Sequence, residues 1–318
     1  MTKRLQQLLA ENDTLLADAA TGTTLFNMGL PAGHPAELWS VEHPEHVTAL
    51  HQEALENGAQ ILCTNSYGGN RCQLERFGRG AQAPLLATAA ARLARKIADQ
   101  APDPVIVAGS IGPTGEIFAP MGTMTRQRAV EIYTEQARAL REGGVDLLWF
   151  ETLSSLEEVH VAEIVARDCA MEWCISMNFD TAGRSMMGVS PTEFTRKLDK
   201  LAYKPVAAGA NCGMGASDLL RSILEMAASG TDIPLIAKSN AGVPHFHHGE
   251  LHYTGTPELM AEYALMARDC GARIIGGCCG TQGAHLAAMR DALARTPKSS
   301  RPTLDQIAQA LGRFSNGA

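Results

Sequence analysis

Short apolar, β-rich runs alternate with longer amphipathic runs along most of the chain. Eight runs read as strands: Leu15–Ala20, Gln60–Tyr67, Pro104–Ile111, Asp146–Thr152, Trp173–Phe179, Pro205–Cys212, Pro234–Asn240 and Ala272–Cys279. Helical periodicity fills the intervals, over Pro44–Asn57, Gln82–Gln100, Thr125–Gly143, Leu156–Asp168, Pro191–Leu201, Ser217–Ala228, Thr256–Cys270 and Gln282–Ala294. Most of these helices open on a Ser, Thr or Pro start signal. Strands that alternate with helices predict βαβ units and a parallel sheet. Near-continuous apolar strands such as Asp146-Leu147-Leu148-Trp149 fit a sheet covered on both faces.

Eight such units fit an α/β chain folded as a (β/α)8 TIM barrel better than a doubly wound sheet. A length of 318 residues would by itself suggest two domains, but no Gly/Ser-rich or charged linker divides the chain. No G-x-G-x-x-G follows the first strand, and Gly213-Met214-Gly215 does not complete that fingerprint. Residues 1–297 are therefore expected to form one barrel with a short leading helix over Thr2–Glu11. Residues 298–318 form a tail with a helix near Thr303–Phe314 and a loose end.

Composition narrows the function. The net charge is −7, which argues against a nucleic-acid surface. No apolar stretch is long enough to span a membrane, and the first residues lack the apolar block of a signal peptide. A cytoplasmic location follows as the expectation, and there cysteines more often bind metal or do chemistry than form disulfides. The chain has 8 cysteines.

Catalytic groups of a parallel barrel sit at the C-terminal ends of its strands. Asp18 ends strand 1, Glu151 ends strand 4, Lys238-Ser239-Asn240 ends strand 7, and Cys63-Thr64-Asn65-Ser66-Tyr67 ends strand 2. Cys212 ends strand 6, and Cys278 and Cys279 end strand 8. Three thiols thus converge on one face. Three thiolates with an open fourth position are the pattern of a catalytic rather than a structural Zn2+. The helix after Cys279 would help hold the thiolates deprotonated. Such an electron-rich ion is a poor activator of water and better suited to holding a substrate thiol as thiolate. Two other readings stay open at this level: small buried residues, or a vicinal redox pair acting as a sensor without group transfer. Cys63, Cys72, Cys169, Cys174 and Cys270 are expected to be buried core thiols.

The chain resembles the homocysteine S-methyltransferase family, which includes the betaine and S-methylmethionine enzymes and the homocysteine module of cobalamin-dependent methionine synthase. The resemblance rests on Asp18-Ala19-Ala20-Thr21-Gly22-Thr23, Thr64-Asn65-Ser66-Tyr67, Glu151-Thr152, Gly209-Ala210-Asn211-Cys212, Asn240-Ala241-Gly242-Val243-Pro244 and Gly276-Gly277-Cys278-Cys279-Gly280-Thr281. One departure is Ala19, where the family usually carries Gly. The resemblance implies one Zn2+ per chain on Cys212, Cys278 and Cys279, with L-homocysteine sulfur in the open position. It implies that Asp18 and Glu151 receive the substrate ammonium, and that backbone N–H groups around Ala20 and Thr21 receive its carboxylate. Asn211 and Asn240 would orient the ligand loops rather than touch substrate. The thiolate then attacks the donor methyl in line, and methionine is the product.

Two donors fit the resemblance. A small onium donor such as betaine wants aromatic faces, with Trp39 and Tyr67 as candidates. The betaine enzymes carry a Phe-Tyr pair after strand 2 and a Tyr after the strand-4 Glu, where this chain has Tyr67-Gly68 and Thr152. The alternative is one subunit of a split methionine synthase, taking its methyl from a corrinoid-carrying protein through a mouth left open by Gly68-Gly69. The histidine-rich segment His245–His252 is expected to be a solvated loop after strand 7, near the mouth.

Overall fold

The computed structural model describes residues 4–247 and 250–315. Its strands are β1 (Leu15–Leu16), β2 (Ile61–Cys63), β3 (Ile106–Ile111), β4 (Leu147–Leu153), β5 (Trp173–Met177), β6 (Ala207–Asn211), β7 (Leu235–Ser239), β8 (Pro244–His247), β9 (Glu250–Tyr253) and β10 (Ala272–Gly277). Eight of them form one parallel sheet in the order β1-β10-β7-β6-β5-β4-β3-β2. A bridge between Ala17 and Ile61 joins the two edges, and the Asp18 N–H donates to Ile61 O at 3.0 Å. The sheet is closed into a (β/α)8 barrel, as the alternation predicts.

The strands stop short of the apolar runs because their last polar residues leave the ladder. After Cys63, the Thr64 and Ser66 hydroxyls bond each other at 2.6 Å, and Ser66 Oγ donates to Ser110 O. The helices begin where side chains can satisfy the free first-turn N–H groups. Ser155 and Ser190 each form a reciprocal capping box, with Glu158 and Glu193. The helix Arg126–Gly143 ends on Gly144 at φ 98°, a conformation that costs a glycine little.

Strand parity builds the interior. Ile61 and Cys63 on β2, Leu147 and Trp149 on β4, and Ile236 on β7 share one inner cluster. The helix Arg4–Glu11 closes the bottom of the barrel with Leu5, Leu8 and Leu9 in that same cluster. Two residues further up each strand, the same parity carries Ser110, Glu151 and Lys238 into the top layer, so the barrel is apolar below and polar above. The outer layer lies between strands and helices and is the larger core.

The tail is not an independent unit. The helix Leu304–Leu311 and the residues after it pack Ile307, Leu311 and Phe314 into the outer core. Arg221 lies 4.9 Å over the Phe314 ring, Ser217 Oγ donates to Gly312 O at 2.6 Å, and Ser315 N–H donates to Asp218 Oδ2 at 3.0 Å. Each apolar side chain so buried contributes about 1.5–3 kcal/mol. Thus Ser315, expected in the loose end, is tied down; residues 316–318 lie outside the described residues. The histidine-rich segment also differs from expectation: β8 and β9 pair as an antiparallel hairpin with Phe246 opposite Leu251. His248 lies outside the described residues.

Candidate active site

Cys212, Cys278 and Cys279 meet at the top of the barrel, their three sulfurs within 4.8 Å of one another. All three are free thiols. Cys212 follows β6 in a left-handed conformation, φ 64°, and Gly213 continues it at φ 85°. A non-glycine residue held there is uncommon and needs support from its surroundings. The support is visible. Cys212 N–H donates to Lys238 O at 3.0 Å, and Asn240 Nδ2 donates to Gly213 O at 2.7 Å. Cys278 N–H is held by Ser239 O at 2.7 Å.

A second strained residue lies opposite. Thr152, directly after Glu151, has φ 61°, costly for a β-branched side chain. Asn211 grips it twice, accepting from Thr152 N–H at 2.9 Å and donating to Thr152 Oγ1 at 2.7 Å. Asn211 therefore holds the end of β4 beyond Glu151, and Asn240 holds the turn at Cys212.

Hydrogen bonds from Cys278 and Cys279 pull the Cys212 thiol well down, whereas those from Cys212 and Cys279 push Cys278 well up. Three sulfurs this close share their protons unequally, and only a cation lets all of them ionise. The donor set is soft, tripodal and open on one side, which fits a zinc-like ion with one exchangeable position.

The thiols form one wall of a cavity of about 260 Å³. Other walls carry Ala20, Thr21, Glu37, Tyr67, Glu151 and Lys238. Burial raises the Glu151 pKa, and the Lys238 charge works against that rise; Ser110 Oγ donates to its Oε1.

Asp18 departs from expectation. It lies behind the wall, 2% exposed, and both its oxygens are taken. Lys238 Nζ donates to Oδ1 at 2.7 Å, and Cys63 N–H donates to Oδ2 at 2.6 Å. Burial opposes the Lys238 charge, but Asp18, Cys63 and Glu151 together outweigh it and hold the ammonium well above its ordinary value. Ala20 N–H is also spent, donating to Thr281 Oγ1 at 3.1 Å, so of the two expected carboxylate positions it is already partnered. Thr21 stays on the cavity wall.

Of the two aromatic candidates only Tyr67 lines the cavity. Trp39 is 5% exposed and packs with Leu25, Leu30, Val47 and Leu50. His46 stacks on its ring at 4.8 Å and His43 meets it edge-on at 5.0 Å. Its size draws it into the helix layer. Of the five thiols expected in the core, Cys63, Cys169, Cys174 and Cys270 are buried there and Cys72 is half-buried; Cys63 also lines the cavity.

Sequence reasoning assigned no role to Glu37 or Lys238. Glu37 sits on a short turn over Ala36–Leu38, and its Oε1 accepts from Gly68 N–H at 2.6 Å. Burial raises its pKa. The Gly68 turn is thus fastened to the opposite side of the mouth. A lone lysine closing the apolar run Leu235-Ile236-Ala237 was the available signal for Lys238.

A barrel with an open tripod of thiols at its C-terminal face, beside a carboxylate-lined cavity, is the arrangement of a transferase whose group acceptor is a thiol. The chain belongs to the homocysteine S-methyltransferase family, whose model matches residues 15–293. It is a methyltransferase acting on homocysteine. The structure is similar to that of the homocysteine methyltransferase MmuM from Escherichia coli, at 26% identity. The oxidised form matches with a TM-score of 0.77 over 93% of this chain and 100% of that one. The metallated form matches at 0.76, over 92% and 99%, and the apo form at 0.73, over 91% and 99%. Among the described residues no helix is long and apolar enough to cross a membrane.

Proposed function

We propose that the chain is a zinc-dependent homocysteine S-methyltransferase that makes methionine from a small onium donor, betaine or a related compound. The observation that carries this reading is the tripod of Cys212, Cys278 and Cys279 opening into the cavity that Glu151 lines. Bound there, Zn2+ would hold the homocysteine sulfur as a thiolate at neutral pH.

The protein's own residues do the rest. Glu151, with one oxygen taken by Ser110, offers its other oxygen to the substrate ammonium. Asp18 acts one layer back, through Lys238, rather than by touching the substrate. Asn211 and Asn240 keep the strained turns at Thr152 and Cys212 in register, so that sulfur and donor methyl meet in line. The sulfur lone pair forms the new S–CH3 bond, and the donor's leaving atom departs with the old bonding pair as a neutral amine or thioether. No side chain has to move a proton at the sulfur.

Tyr67 and Glu37 support a cationic donor. An aromatic face and a carboxyl group lining one cavity both favour an onium centre. Trp39 is withdrawn from that role by its burial in the helix layer. The test is methyl transfer to homocysteine with betaine, dimethylsulfoniopropionate, S-methylmethionine or methylcobalamin as sole donor. Turnover with at least one onium compound is expected. Turnover with methylcobalamin alone would replace this donor with a corrinoid carried by a partner protein.

A further inference from the structure

We propose that His43, Glu45 and His46 form a second metal site, which takes an exchangeable divalent transition-metal ion, zinc above all, at the rim of the barrel's catalytic face. The inference does not rest on the homocysteine reading.

Among the described residues only two groups of three metal-type ligand atoms lie within 4.8 Å of one another: the thiol tripod, and these two imidazoles with one carboxylate. The second group comes from a single turn. His43 is the residue before the helix Pro44–Glu56, and Glu45 and His46 lie in its first turn. Pro44, between them, has its φ fixed by its ring. His43 N–H donates to Trp39 O and His46 N–H to His43 O, each at 3.1 Å. The backbone that carries the ligands is thus held before any ion arrives.

The side chains converge on one oxygen. His43 Nδ1 lies 3.3 Å from Glu45 Oε1, and His46 Nε2 lies 4.0 Å from it. Two N or O ligands bonded at about 2.0–2.2 Å to a tetrahedral ion stand about 3.3 Å apart, the spacing that His43 and Glu45 already have. At 4.0 Å His46 is too far from the carboxylate to hydrogen-bond it, and an ion between them would bridge that gap.

Trp39 supplies independent support. His46 stacks on this buried indole at 4.8 Å, and His43 meets its edge at 5.0 Å. Both rings are braced from behind, so ligation costs less side-chain entropy than it would for free surface histidines.

The donor set selects the ion. Two imidazoles and a carboxylate suit zinc, copper or nickel, whereas magnesium and calcium want more oxygens. Three ligands leave an open position for water, and the exposure of His43 and Glu45 makes the ion exchangeable. The helix Pro44–Glu56 runs back towards the start of β2, so its first turn stands on the face where the strands end and the thiols open.

The experiment titrates zinc calorimetrically into protein that already carries one zinc per chain, and follows tryptophan emission in parallel. One further zinc should bind saturably. It should change the emission of Trp39, since Trp149 and Trp173 lie fully buried in the core. Losing even an outer-shell partner of a metal ligand costs about 10- to 100-fold in affinity, so His43→Ala and His46→Ala should each weaken the second zinc at least tenfold and leave the first in place. Glu45→Gln keeps the side-chain size and should do the same. In Cys212→Ala, where the tripod is broken, this zinc should still bind, which separates the failure of one site from the failure of the other.

No saturable zinc beyond the first would overturn the proposal. So would a second zinc bound as tightly in His43→Ala and His46→Ala as in the wild type, because the ion would then sit on other histidines. Loss of all zinc binding in Cys212→Ala would overturn it too.

Discussion

Replacing Asp18 with alanine removes one half of a fully enclosed ion pair. The side chains of Lys238 and Asp18 are 5% and 3% exposed and meet at 2.7 Å. Solvent screening is therefore small, and the discount applied to surface pairs does not apply. Breaking a buried pair by removing one partner costs about 3–5 kcal/mol, because the other charge stays behind. The Cys63 N–H, which donates to Asp18 at 2.6 Å, loses its acceptor as well, and an orphaned buried donor costs about 1–3 kcal/mol. The two losses share one carboxylate, so they overlap, and a total of about 4–6 kcal/mol is expected. Asp18→Asn keeps an acceptor for Cys63 and should lose only the charge term.

Urea denaturation of the wild type, Asp18→Ala, Lys238→Met and the double variant closes a cycle. The double variant should be more stable than the sum of the single losses implies, by about 2–3 kcal/mol, since it leaves no uncompensated charge. Additive losses would show that the pair is not coupled and would remove the reason for placing Asp18 behind the substrate wall.

Other outcomes follow from the same structure. Glu151→Gln should raise the homocysteine KM about 10- to 100-fold with zinc content unchanged, one charged hydrogen bond being lost; an unchanged KM would place the ammonium elsewhere. Asn211→Ala should release the strained Thr152 turn and cost about 1–3 kcal/mol of stability. Adding Thr152→Gly, which tolerates positive φ, should recover part of it, and no recovery in thermal melts would mean the strain is not stored there.

His51 is buried without a hydrogen-bond partner among the described residues, and burial lowers its pKa from 6.5 to about 4. The unfolded chain therefore binds the extra proton between those values. Stability should fall by about 3 kcal/mol as pH drops from 6.5 through 4. His51→Leu should flatten that part of the profile, and a slope identical to wild type would contradict the assignment.

The barrel was readable because each strand is an apolar run that helical periodicity cannot imitate and each helix carries its own start signal. Seven of the eight runs kept at least five residues in the sheet or lost only their polar ends; β1 shrank to Leu15–Leu16, paired with β10 and followed by the Ala17 bridge to β2. The thiol tripod was readable because strand ends share one face, so Cys212 and Cys278-Cys279 had to meet.

What escaped the sequence depends on facing and pairing. Two-residue parity from Ile236 puts Lys238 inside the barrel, but only the fold shows that it reaches Asp18, 220 positions earlier in the chain. Trp39 looked like a donor contact because an aromatic residue near a mouth can face either way; packing against Leu25 and Val47 decided it. Glu37 carried no pattern at all, since its role comes from one hydrogen bond to Gly68 across a loop.

The central claim is that three cysteines hold one zinc whose fourth position takes the substrate sulfur. X-ray absorption at the zinc edge of the reduced protein, before and after homocysteine is added, tests it most directly. The account predicts one zinc per chain with three sulfurs at about 2.3 Å, rising to four when homocysteine binds. A protein that holds no zinc, or whose sulfur count stays at three in saturating homocysteine, would contradict it.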